Sequence, residues 1–472
     1  MSGDELFELS SAPSSRRVFV NRNLRFDSIK AVGFDMDYTL ARYHRAAIEG
    51  LVFGLTIEKL RGLGYPEQIT NFVYDPNFVI RGLAIDKKLG NVMKLDRHNH
   101  VAQVYHGKQR LTKSERRQLY RRRKVRFEAP RFTFLDTYFE LPEIAIFADL
   151  IELQEQTGKP YLDPWQMFED TRSCIDAVHR DGSLKQIVRA DLATYIERDA
   201  LLGPMLHKMR SAGKKLFLLT NSEWSYTDAV MSFLLGNGSK DYASWRRYFD
   251  GIVVHASKPG FWTGREPLTE IDSKGLPVMR GANVIKRDAA YSGGNVDDFE
   301  QAFQLAGEEI LYIGDHIYGD ILRSKRTAMW RTALVIEELE LELETTARHA
   351  AEFEQRTALE YERRQLDDFI SQVRATPKSN RTPIANTQRS EAQKDLQKVN
   401  RQLNKLKDKL QEHFNPYWGR AFKHNQENSR FGQQVTRHAC LYTSRVTNFF
   451  YYSNLQYFRS PQDLMPHEHP DQ

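Results

Sequence analysis

Two aspartates two residues apart, Asp35 and Asp37, follow the apolar run Ala31-Val32-Gly33-Phe34. Such a run reads as a short buried strand. Side chains alternate across a strand, so residues i and i+2 share a side. Both carboxylates therefore leave the strand's carboxyl end together. Like charges held so close need a proton or a cation between them. Mg²⁺ meets that need with oxygen ligands. One carboxylate can then attack as a nucleophile while the other shuttles a proton. An aspartate-rich turn has the same local pattern, so the pair by itself leaves both readings open.

Three more strand-like runs end in groups that suit the same chemistry. Lys215–Leu219 is followed by Thr220-Asn221, Gly251–Val254 by His255-Ala256-Ser257-Lys258, and Glu309–Ile313 by Gly314-Asp315 with Asp320 beyond. Open α/β sheets bind ligands at the carboxyl ends of their strands. Phosphate-ester cleavage needs a nucleophile, a proton source and fixed positive charge on the phosphoryl oxygens. Asp320 also fits a plain helix cap.

The segment Asp35-Met36-Asp37-Tyr38-Thr39-Leu40 resembles motif I of the haloacid dehalogenase superfamily of phosphotransferases. Thr220, Lys258 and Gly314-Asp315…Asp320 resemble motifs II, III and IV, in order. The resemblance implies an α/β fold: a haloacid dehalogenase-like Rossmannoid core with a parallel sheet, a large cap inserted between motifs I and II, and a C-terminal helical region. It also implies roles. Asp35 attacks phosphorus, and Asp37 protonates the leaving alcohol and then activates water. Thr220 and the backbone around Asn221 hold phosphate oxygens, and Lys258 balances their charge. Mg²⁺ is bound by Asp35, the backbone carbonyl of Asp37 and Asp315, with Asp320 behind them or acting through water.

Val18–Arg22, Arg81-Gly82-Leu83, Leu141-Pro142-Glu143, Phe168–Lys185, Tyr291–Gly294, Gly314–Ser324 and Met465–Glu468 resemble a narrower group, the cytosolic purine 5′-nucleotidases that prefer IMP and GMP. That resemblance implies hydrolysis of IMP, GMP and their deoxy forms, phosphotransfer to nucleosides, a homo-oligomer (dimer or tetramer) and a cytoplasmic location. It assigns substrate contacts to Phe139, Arg172, Asp176, His179, Lys185 and Ser222. Read without it, Arg172, Asp176 and His179 are one helical face at i, i+4 and i+7. A polar face of that kind is more often plain surface. At the family's regulatory nucleotide site this chain carries Tyr318, Arg326 and Asp136, and an aspartate there sets a negative charge where anions would bind.

These residues require elements to position them. We expect a catalytic core over 18–40 and 201–336, a cap over 41–200 and a C-terminal region over 337–472. Within the cap, Gly50–Gly64 and Leu141–Gln156 read as helices, and Val79–Leu95 as strand pairs. Lys108–Arg126 is strongly basic: a phosphate-rich ligand or RNA site, or a solvated loop. Thr263–Asp297 is Gly-rich with no regular pattern. Glu337–Val373 reads as helix, Ala375–Ser390 as a break, and Leu396, Val399, Leu403, Leu406 and Leu410 as a heptad seam. This helical hairpin can pack on itself, on the core or on a second subunit. The aromatic stretch 414–460 should be buried. Residues 1 to about 18 read as disordered.

The chain has 472 residues, 40% hydrophobic and 28% charged, enough for a large soluble core. Net charge +6 suits anionic partners without separating nucleotides from nucleic acid. Two cysteines are no disulfide framework and suit a reducing compartment. No signal peptide, membrane span or nucleic-acid partner is expected. A phosphatase of this superfamily with a different substrate, or a non-catalytic nucleotide- or RNA-binding assembly protein, are the competing readings.

Overall fold

Ala31–Phe34 is buried along its whole length, because both of its neighbours are strands of the same direction. The structure, a computed structural model, describes residues 12–472 except 122–124, 159–161, 237–241, 378–382, 464, 466–467 and 469–472. Ala31–Phe34 pairs in parallel with Lys215–Leu219 on one side and Ile310–Gly314 on the other. Gly251–Val254 and Ala290–Gly293 extend the parallel sheet beyond the first, and Arg331–Val335 beyond the second. Leu268–Ile271 and Pro277–Arg280 add an antiparallel edge. They lie inside Thr263–Asp297, where no pattern was expected: a strand pinned by cross-strand pairing needs little sequence signal of its own.

The segment between the first two core strands builds a second, antiparallel sheet. Its order is Gln109–Arg110, Val101–His106, Asn91–Leu95, Leu83–Asp86, Phe132–Phe134. Helices Arg45–Gly62, Leu141–Thr157 and Pro164–Arg180 pack on one another beside it. Pro142 sits in the first turn of the second, where its missing N–H is no loss, and Gly158 ends it at φ 64°. Asp163 caps the third by accepting from the Trp165 and Gln166 amides.

The basic stretch is structured where it is described. Lys113–Tyr120 is a helix opened by a reciprocal Thr112–Glu115 cap, and the buried Tyr120 donates to Asp86. Arg110, Lys113 and Arg116 line a cavity of about 590 Å³ together with Lys407, Arg420 and Lys423. Arg122, Arg123 and Lys124 lie outside the described residues.

The C-terminal region packs on the core. Leu441–Thr443 joins the main sheet parallel to Arg331–Val335, and Phe19–Val20 closes that edge antiparallel to it. Phe449 and Phe458 pack against Phe26. The two long helices, Ala350–Ala375 and Pro383–Glu412, pack on each other, with Val399, Leu406 and Leu410 buried. The second helix starts inside the stretch expected to break it, because proline is well placed at a helix start. The first 11 residues lie outside the described chain. From Ser14 the expectation of disorder fails: the carbonyls of Ser15 and Arg17 accept from Ser444 and Thr443, partners more than 400 residues away. Among the described residues no helix is long and apolar enough to cross a membrane.

Candidate active site

The register of the three central strands assembles the site. Phe34 lies beside Leu218 and Ile313, so Asp35, Thr220 and Asp315 emerge at one edge of the sheet. Gly33 permits this packing, since a Cβ there would sit 2.1 Å from the Phe217 ring. The Asp35 amide continues the ladder to the Ile313 carbonyl at 2.9 Å. Beyond Asp37 the chain turns back, Tyr38 taking φ 56° and the Met36 carbonyl accepting from the Leu40 and Ala41 amides.

The two aspartates have different surroundings. Asp35 receives the Lys258 ammonium at 2.9 Å and the Met36 amide at 2.8 Å. Burial pushes its carboxyl up to about 7; Lys258 pulls it down, and Asp320 and Asp37 push it up. Asp37 accepts from two neutral hydroxyls, Tyr43 at 2.6 Å and Ser222 at 2.7 Å. The Tyr43 hydroxyl is itself 2.8 Å from that of Tyr226.

Lys258 is shared. Its ammonium reaches Asp35, Asp320 at 2.8 Å and the Tyr312 hydroxyl at 2.8 Å. Burial works against its charge, but Asp320 and Asp35 outweigh burial and hold it above the ordinary lysine range. Asn221 braces this residue: its amide accepts from the Lys258 backbone N–H and donates to the Lys258 carbonyl. Thr220 is fully buried, with its hydroxyl accepting from the Ser222 amide.

Asp35, Asp315 and Asp320 present carboxylate oxygens within 4.8 Å of one another. Asp315 is buried, and its Oδ2 has no hydrogen-bond partner. Burial, then Asp320 and Asp35, raise its carboxyl well above the usual range. Gly314 makes room for the cluster, since a Cβ there would meet Asp320 Oδ2 at 2.5 Å. An all-oxygen donor set with one orphaned buried oxygen fits a hard divalent cation. Asp320 stands closer to that set than sequence reading placed it.

A cavity of about 330 Å³ lies over these groups. Phe139, His179, Lys185 and Ser222 line it. Phe139 meets His179 and Tyr38 edge-on, with centroids 5.5 and 5.0 Å apart. The Lys185 ammonium lies 5.5 Å from the Tyr226 ring centroid, and burial keeps His179 below the ordinary histidine range.

Arg172 and Asp176 do not line the cavity. Glu143 is fully buried and needs a cation, so Arg172 forks onto Glu143 and Glu140 at 2.8 and 2.9 Å. Asp176, one turn on, faces solvent. One helical face can carry all three residues, yet only its last member reaches the site.

Sequence reading missed the supports. Arg81, fully buried, donates to the Asp315 carbonyl, the Tyr138 hydroxyl and both oxygens of Glu338. It ties the cap to the core and to the first C-terminal helix. Asp136 pairs with His316 at 3.1 Å. Burial opposes the His316 charge, but Asp136, Asp320 and Asp315 raise it to about 9, so the negative charge at Asp136 is compensated. No spacing in the sequence joins 81 to 338 or 136 to 316; only the single arginine in a hydrophobic stretch, Val79-Ile80-Arg81-Gly82-Leu83, was a signal.

The parallel sheet brings Asp35, Thr220, Lys258 and Asp315 together at one edge. The model of the 5′ nucleotidase family matches residues 18–470, and the chain belongs to that family of enzymes. It is 30% identical over 480 residues to a 5′-nucleotidase domain-containing protein of Dictyostelium discoideum, a match covering 98% of this chain and 77% of that protein. It is also 30% identical over 348 residues to 5′-nucleotidase domain-containing protein 2 of Rattus norvegicus, covering 71% of this chain and 62% of the rat protein. Among solved structures, a predicted phosphoglycolate phosphatase from Haemophilus somnus superposes with TM-score 0.27 at 12% identity, over 65% of this chain and 85% of that one. So partial an overlap does not bear on substrate.

Proposed function

We propose that the protein is a Mg²⁺-dependent 5′-nucleotidase acting on purine nucleoside 5′-monophosphates, with IMP, GMP and their deoxy forms preferred. The observation that carries this reading is the unlike pair Asp35 and Asp37 at one strand end, under a cavity lined by Phe139, His179 and Lys185. Paired titratable groups in different environments take different roles. An Asp35 oxygen attacks phosphorus as the P–O bond to the 5′-oxygen breaks, and Asp37 gives that oxygen a proton. Asp37 then takes a proton from water, which attacks the acyl phosphate and returns Asp35. Lys258 balances the phosphoryl charge, and Thr220 with the backbone at Asn221 holds its oxygens.

Asp35, Asp315 and the Asp37 carbonyl would hold the cation, with Asp320 beside them. When bound it supplies positive charge opposite the phosphoryl oxygens. Phe139 offers the base a stacking face, and Lys185 a donor for O6 or N7 of a 6-oxopurine. Arg172 and Asp176 have no part in this reading. A nucleoside hydroxyl in place of water would give phosphotransfer. Cys174 and Cys440 are free and buried, in keeping with a reducing, cytoplasmic setting, and a homo-oligomer belongs to the same proposal.

The test is phosphate release from a nucleotide panel, with and without Mg²⁺. Release from IMP and GMP ahead of AMP and pyrimidine nucleotides is expected. Release favouring another phosphate ester would keep the chemistry and replace the substrate; no release from folded protein would favour a non-catalytic nucleotide-binding role.

A further inference from the structure

The strand Ile310–Gly314 brings more to the site than the aspartate that follows it. Tyr312, in its middle, is fully buried. In register it faces Gly33 on the central strand, and Gly33 in turn faces Phe217. Residues paired across a sheet share one face. With no side chain at Gly33, the Tyr312 and Phe217 rings close over the central strand, 13° from parallel with centroids 6.4 Å apart. Trp262 and Trp330 pack edge-on against the same phenol, at 5.6 and 5.9 Å. Three rings thus fix its direction. The hydroxyl donates to the Leu219 carbonyl at 3.0 Å, next to Thr220, and lies 2.8 Å from the Lys258 ammonium. A hydroxyl has one proton. The bond to Leu219 commits it, so toward Lys258 the oxygen can only accept. Lys258 has three protons to place, and it faces three acceptors: Asp35, Asp320 and Tyr312. Tyr312 itself does not line the cavity.

We propose that Tyr312 is a positioning residue, whose hydroxyl holds the Lys258 ammonium in place while Asp35 becomes an acyl phosphate and returns. The inference rests on the reaction proposed above. In that reaction the Asp35 carboxylate loses its charge to the phosphoryl group in every turnover. One of the two carboxylates that hold Lys258 is therefore altered halfway through. Asp320 alone would draw the ammonium to its own side, away from the phosphoryl oxygens. Tyr312 keeps the same hold throughout. Burial sets its hydroxyl well above the ordinary tyrosine range, so it stays neutral, and its proton is anchored on a backbone carbonyl. A cation fixed in advance needs no reorganisation as charge develops opposite it. The three rings pack on the phenyl part, so the hydroxyl can be removed without disturbing them.

The experiment measures phosphate release by full-length Y312F in excess Mg²⁺, from IMP and from p-nitrophenyl phosphate. A hydrogen bond to a charged group is worth about tenfold or more in a rate. We expect kcat to fall by that factor with KM little changed, and equally for both substrates, since Tyr312 touches no leaving group. Melting of Y312F, K258M and K258M/Y312F is followed in parallel. With Lys258 replaced, its hydrogen bond is already gone, so Y312F should lower the melting temperature less in K258M than in the wild type. If Y312F alone does not fold, the double variant decides: folded, it supports the link to Lys258; unfolded, it makes the hydroxyl part of the fold and overturns the proposal. A kcat within twofold of wild type overturns it, as does a loss confined to KM or an equal melting loss in both backgrounds. Hydrolysis of the aryl ester without IMP would overturn the purine substrate alone, with Tyr312 still tested on the ester. Release from neither by folded wild type would end the proposed reaction and this inference together.

Discussion

Asp35 and Asp37 carry the same charge two residues apart, and their neighbours separate them. Asp35 faces a buried ammonium, whereas Asp37 is held by the hydroxyls of Tyr43 and Ser222. D35N should abolish turnover with melting unchanged, since an amide cannot attack phosphorus; wild-type-like release in that variant would remove Asp35 from the reaction. Tyr43 predicts something subtler. It aims Asp37 without touching the phosphate, so Y43F should lower kcat about tenfold or more, within the range of general acid–base help, and change KM little. An equal loss in both constants would place Tyr43 in substrate binding instead. The proposed reaction needs the Asp37 carboxylate pointed, and Tyr43, on the far side of the turn, shares that task with Ser222.

Arg81, on the way into the Leu83–Asp86 strand, joins three elements through one guanidinium. Its partner Glu338 opens the first C-terminal helix. Burial works to raise the Glu338 carboxyl, but Arg81 outweighs it and takes it down to about 2. A carboxyl depressed on folding contributes stability that is present above its unfolded value and lost as the pH falls. The pair should therefore stabilise the fold above about pH 4.5 and fail as the pH drops toward 2. E338Q leaves Arg81 buried beside a neutral group, at a cost of about 3–5 kcal/mol near neutral pH. The variant should also lose part of the acid limb of the stability curve. Chemical denaturation across acid pH checks both, and an unchanged acid limb would assign that limb to other carboxylates. The sequence shows Glu337 and Glu338 only as part of a Glu-rich helix, because a helix surface and a buried ion pair use the same residue.

At the scale of the molecule, the main sheet is closed by its own ends: Leu441–Thr443 completes the parallel series, and Phe19–Val20 pairs with it. The helical hairpin, by contrast, packs chiefly on itself, and its ends meet at His349 and His413. Replacing residues 350–412 with a short Gly-Ser linker should thus leave a folded protein with the Asp35 chemistry intact, whereas deleting 441–472 should abolish cooperative unfolding. Phosphate release and thermal melting of the two variants are the measurements, and loss of folding in the first would make the hairpin part of the core. The sequence by itself determined the strands that end in Asp35, Thr220, Lys258 and Asp315, the cap helices, and the heptad seam. In each case a local period or a terminal residue carries the information. Tertiary structure alone decided which cap residues face the cavity, since a helical face is shared by Arg172, Asp176 and His179 until Glu143 claims the arginine. It also decided the partners of Arg81, Asp136 and Ser14–Arg17. Those contacts join residues more than a hundred positions apart, and a buried charge or carbonyl finds its partner only after the chain between them has folded.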